Sequence, residues 1–81
     1  MYKNHALDGR RNICGQNVAA LRKSKIPKLS QRGLADLLQL DGLDVDKNAV
    51  QRIESGQRFV TDIELKALAR VLGVTAEYLL E

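Results

Sequence analysis

The stretch from Leu29 to Glu54, LSQRGLADLLQLDGLDVDKNAVQRIE, followed directly by Ser55-Gly56-Gln57-Arg58, decides how this chain folds. Leu34, Leu37, Leu38 and Leu40 recur at helical spacing, with Ala35 among them. Ser30 stands before them, and its hydroxyl can accept from an amide of a first helical turn. Asp41-Gly42-Leu43-Asp44 then interrupts the pattern with turn chemistry. Asp46 caps a second amphipathic segment with Val50 and Ile53 inward, Ala49 beside them, and Ser55-Gly56 closing it. The outer side of that segment is polar: Lys47, Asn48, Gln51 and Arg52. Such side chains donate to or accept from base edges in a major groove. A second helix that presents them near its N-terminus, after a first helix and a break, has the arrangement that docks there.

The flanking sequence is also helical. From about Asn12 to Lys25, Ile13, Val18 and Leu21 form one stripe, with Asn17 and Ala20 alongside; Pro27 ends it, lacking the amide a further turn needs. Thr61-Asp62-Ile63-Glu64 has the spacing of a capping box and opens a helix with Leu65, Leu68, Ala69 and Leu72 inward, stopped at Gly73. Thr75 caps a last short helix carrying Tyr78, Leu79 and Leu80. Five helices with short connections and no alternating strand pattern make an all-α fold. It occupies residues 12–81 as one domain, behind a flexible basic arm over residues 1–11.

At 44% hydrophobic the chain can bury a core, and with only Tyr2, Phe59 and Tyr78 aromatic that core must be mainly aliphatic. Phe59 and Tyr78 are too far apart to form stacking platforms for single strands and are expected in the core. No apolar run approaches the roughly 18–20 residues of a membrane span. The start, MYKNHALDGRR, lacks the hydrophobic segment of a secretory signal. Cys14 is the one cysteine, so no internal disulfide forms, and an intracellular, cytoplasmic home is expected. His5 has no second ligand spaced near it, and there is no glycine-rich phosphate loop. No metal, cofactor, small-molecule ligand or catalytic activity is therefore expected. Charge is unevenly spread. Residues 1–33 hold eight basic side chains against Asp8, while residues 34–81 hold five basic and nine acidic, giving +7 and −4. That polarity suits a polyanion on one face, although a solvated basic face gives the same count.

The chain resembles the Cro/C1-type helix-turn-helix regulators, the XRE family, whose fold is that of the lambda repressor DNA-binding domain. The resemblance runs from about Gly15 to Leu80. It rests on Leu21-Arg22, Leu29-Ser30-Gln31, Leu34-Ala35, Val50, Arg52-Ile53-Glu54, Gly56 and Arg58, then Leu65-Ala67-Leu68-Ala69, Leu72-Gly73-Val74 and Tyr78-Leu79-Leu80 in that order. It implies a five-helix, lambda repressor-like domain acting as a sequence-specific transcriptional regulator, more specifically a repressor. The implied partner is double-stranded DNA, bound as a homodimer in a bacterial or phage-encoded setting, nucleoid-associated when bound. By the same resemblance, Lys47, Asn48, Gln51 and Arg52 face base edges. Gln31 and Arg32, with the Gly56 and Gln57 amides and Arg58, meet phosphates, and Arg22 pairs with Glu54 as a structural ion pair.

Two departures stand out. The chain is about five residues longer between Ala35 and Glu54 than the family spacing, so the connection between helices 2 and 3 is extended around Leu40 to Asp44. Gly33 replaces the glutamate that would complete a capping box with Ser30. Several readings stay open at this stage. Lys47, Asn48 and Gln51 also fit the solvated face of an ordinary helix. Arg32, Arg58 and Lys28 fit phosphate contact or plain surface equally well. Lys3, Arg10 and Arg11 suit either a DNA-contacting arm or a solvated tail. Leu79 and Leu80 suit either a dimer surface or the core. The alternative function on the same fold is a protein-binding adaptor or antitoxin-like module.

Overall fold

The computed structural model describes residues 9–81; Lys3 and His5, with the rest of residues 1–8, lie outside the described residues. Among the described residues there are five helices and no strand: α1 Gly15–Ser24, α2 Gln31–Leu40, α3 Lys47–Ser55, α4 Asp62–Leu72 and α5 Ala76–Leu79. The fold is all-α.

Local chemistry sets most helix ends. Ser30 Oγ accepts from the Gly33 amide (2.9 Å) and Asp46 Oδ1 from the Ala49 amide (2.8 Å). Thr61 and Glu64 form the reciprocal capping box, and Thr75 Oγ1 accepts from the Tyr78 amide. α3 ends at Gly56, whose φ of +80° is open to glycine at little cost. There the Gln57 amide reaches back to the Arg52 carbonyl (2.9 Å) and the Gly56 amide to Ile53 (3.1 Å).

α1 begins later than periodicity suggests. Ile13 is exposed and precedes the helix, whereas Cys14 at its N-cap is buried. The reason is Asn12, a buried side chain whose Oδ1 accepts from the Gly15 amide (2.8 Å). Its Nδ2 donates to the carbonyls of Ile53 (3.0 Å) and Arg58 (2.7 Å), so the start of α1 is pinned to the end of α3. Gly15 permits that approach, because a Cβ there would run into the Ile53 carbonyl.

The core contains Val18, Leu34, Leu38, Val50, Leu68, Leu72 and Leu79, each at most 2% exposed, together with Ile53. Several expected core members are outside it. Leu37 is half-exposed and Leu40, at the last residue of α2, is 85% exposed. Phe59 and Tyr78, at 50% and 46% exposed, lie at the surface because the aliphatic core closes without them. Leu79 and Leu80 part company: Leu79 is fully buried and Leu80 half-exposed.

The long connection between α2 and α3 is structured. The Leu43 amide donates to the Leu38 carbonyl (2.9 Å) and closes α2, and Leu43 packs partly against the core. Val45 is buried in the core, and its carbonyl accepts from Gln39 Nε2 at 2.7 Å. Arg70 of α4 grips Asp41 (Nη2 to Oδ2, 2.7 Å) and fixes the start of the loop. The guanidinium, by hydrogen bond and charge, holds the Asp41 carboxyl below the usual carboxylate range. The inserted residues thus set α3 on α2 through an apolar anchor rather than a tight turn.

Candidate nucleic-acid interface

α3 is buried along one side and bare along the other. Ala49, Val50 and Ile53 face the core, while Lys47, Asn48, Gln51 and Arg52 are exposed. A helix offered this way must be held firmly from behind, and one carboxylate does much of that. Arg22 of α1 donates to both oxygens of Glu54 (Nε to Oε2, 2.6 Å; Nη2 to Oε1, 3.0 Å), and its Nη1 donates to the Leu29 carbonyl at 3.0 Å. Gln31 Nε2 of α2 adds a further bond to Glu54 Oε1 at 3.0 Å. Both ionic side chains are about nine-tenths buried. The hydrogen bond to Glu54 raises the Arg22 pKa further, against the loss of water around the guanidinium.

A basic groove of about 830 Å³ opens at the N-terminal end of α3. Its lining includes Lys23, Lys28, Ser30, Gln31, Arg32 and Lys47. Lys47 therefore sits beside the first turn of α2 rather than with the α3 residues further along. The groove brings together Gln31 and Arg32, read as phosphate-facing, with Lys28, left open between phosphate contact and plain surface, and Lys23, which carried no assigned role. Sequence spacing offers no signal for that grouping, because the cations belong to three helices and a loop and meet only once α1, α2 and α3 pack.

A smaller cavity of about 350 Å³ lies at the other end of α3, lined by Gly9, Arg10, Arg11, Ser55, Gly56 and Gln57. Here the residues before α1 are held in place. The Arg11 amide donates to the Gly56 carbonyl (2.8 Å) and Arg10 Nη2 to the Glu54 carbonyl (2.9 Å). The Arg11 guanidinium lies over the Phe59 ring, 5.6 Å from its centroid. Arg10 and Arg11, expected in a loose arm, are docked on the end of α3.

Four residues assigned to phosphate have other partners as well. The Gly56 and Gln57 amides bond to α3 carbonyls. Arg58 Nη2 pairs with Glu64 Oε2 at 2.6 Å, leaving the Arg58 side chain 32% exposed. The Gln31 amide group is turned to Glu54. Cys14 is buried, and burial pushes its thiol pKa up, so it stays protonated and contributes packing rather than chemistry. Among the described residues no group of acidic, His or Cys side chains is arranged to hold a metal, and no helix is long and apolar enough to cross a membrane.

Two packed helices joined by a loop, the second bare on its outer side and flanked by cations, define a helix-turn-helix domain. The helix-turn-helix family model matches residues 18–79, so the chain belongs to that family, in its Cro/C1 (XRE) type, a family of DNA-binding regulators. No curated protein and no solved structure gives a significant match.

Proposed function

We propose that the chain is a sequence-specific regulator that lays α3 in the major groove of double-stranded DNA, reading bases with Asn48, Gln51 and Arg52. The observation that carries this reading is the exposed polar row on a helix whose other side is locked by Glu54, Asn12 and the core. Lys47 takes part at the edge of that row, where it shares a groove with Arg32 and Gln31 and meets a base or the adjoining phosphate. Phosphate contacts fix register and base contacts choose sequence, and the two sets of side chains here occupy different parts of the surface.

One α3 spans only a few base pairs, so the regulator acts as a homodimer on two half-sites about one helical turn apart. Tyr78 on α5 and Leu80 at its C-cap, both half-exposed, supply apolar surface for that pairing. Occupying a site is the simplest action of such a domain, which makes it a repressor working in the cytoplasm of a bacterial or phage-infected cell. Titration with duplex DNA followed by backbone-amide NMR tests the docking. The expected shifts fall on residues 47–52 and on the two basic cavities. Shifts confined to α4 and α5, with α3 silent, would favour a protein-binding adaptor instead.

A further inference from the structure

We infer that residues 9–12 form a strap completing a second phosphate site at the C-terminal end of α3, with Arg11 as its ligand and Phe59 as the side chain that aims it. The inference rests on the DNA-binding reading above.

The strap is tied by its backbone and by Asn12: the Arg11 amide is bonded to the Gly56 carbonyl, and Asn12 to Ile53 and Arg58. Arg11 is thus presented from a fixed point; the residue is exposed, and its guanidinium lies over a half-exposed aromatic ring. A cation held by a ring face keeps its N–H donors, whereas one paired to a carboxylate has them engaged. That difference separates the arginines here. Arg58 is paired with Glu64, and Arg10 donates to the Glu54 carbonyl. Arg11 has no carboxylate within ion-pair distance among the described residues. The nearby turn amides are engaged in closing α3, so an anion entering this cavity has to be met by side chains.

Position supplies the second reason. Lys47 lines one basic cavity and Ser55 the other. The two residues are eight steps apart on one helix, about 12 Å at 1.5 Å per residue. The major groove is also about 12 Å wide. α3 therefore carries a basic cavity at each end, on the length scale of the groove it is proposed to enter, and the strap supplies the cation at the C-terminal one.

The test is the salt dependence of binding to a mixed-sequence duplex, measured by fluorescence anisotropy for the unchanged chain, Arg11→Ala, Phe59→Leu and the double variant. The unchanged chain should bind at low salt. Arg11→Ala should bind roughly tenfold more weakly there, with a log–log salt slope shallower by about 0.9, as for one lost phosphate contact. Phe59→Leu should lose part of that affinity, and nothing further once Arg11 is gone. An unaltered slope for Arg11→Ala, with the unchanged chain binding, overturns the phosphate role. An equal Phe59→Leu loss in both backgrounds overturns the aiming role. Should Arg11→Ala melt early, Phe59→Leu with Arg11 retained carries the same slope test. No binding by the unchanged chain at low salt defeats the DNA reading itself, and the strap with it.

Discussion

A single carboxylate, Glu54, joins three helices, since it takes Arg22 from α1 and Gln31 from α2 while standing on α3. Glu54→Leu leaves the Arg22 guanidinium buried without its charge partner, and should cost about 3–5 kcal/mol in urea unfolding. Replacing both partners, Arg22→Met with Glu54→Leu, should cost much less, because no charge is then stranded. A loss below about 1 kcal/mol for Glu54→Leu would put the pair with ordinary surface bridges. Only the family resemblance suggested that these two residues should face each other; nothing local in the sequence joins positions 32 apart. Asn12 was less legible still. It sits among apolar residues of apparent helical period, yet its partners are carbonyls 41 and 46 residues away. A buried amide that satisfies remote backbone groups leaves no mark on spacing, and its effect was to shift the start of α1 to Gly15.

Helix ends were readable because capping is local. Ser30, Asp46, Thr61 and Thr75 each bond an amide three residues on, a distance any sequence window includes. The outer edges of the stripes were not readable. Leu37 and Leu40 follow the α2 period as well as Leu34 and Leu38 do, but whether an edge position is covered depends on neighbours brought in from elsewhere. The extended α2–α3 connection shows the same division. Its length was plain, while the burial of Val45 and the grip of Arg70 on Asp41 arise only on folding. Arg70 lowers the Asp41 pKa, so the pair favours the folded state above the ordinary carboxylate range. That contribution disappears as pH falls through the lowered folded value. Thermal melts should therefore show Arg70→Gln less stable than the unchanged chain at neutral pH, with the difference lost in acid once Asp41 is protonated. A difference that persists in acid would mean that the arginine acts by packing instead.

Across the whole molecule, the imbalance of +7 in residues 1–33 against −4 in residues 34–81 was visible at once, and it suited a polyanion or a solvated basic face equally. Composition could not show how those cations divide. Lys23, Lys28 and Arg32 gather with Lys47 at one end of α3, and Arg10 and Arg11 dock at the other. Between the two groups lies the exposed row of Asn48, Gln51 and Arg52, the part of the surface proposed to distinguish one duplex from another. The central claim is that this row reads sequence while the flanking cations hold phosphate. It is tested most directly by selection from a randomised duplex pool at near-physiological salt, followed by sequencing. The account predicts enrichment of a palindromic site with half-sites about one helical turn apart. Recovery of unenriched DNA, with binding that disappears as salt rises, would leave only phosphate attraction and contradict it.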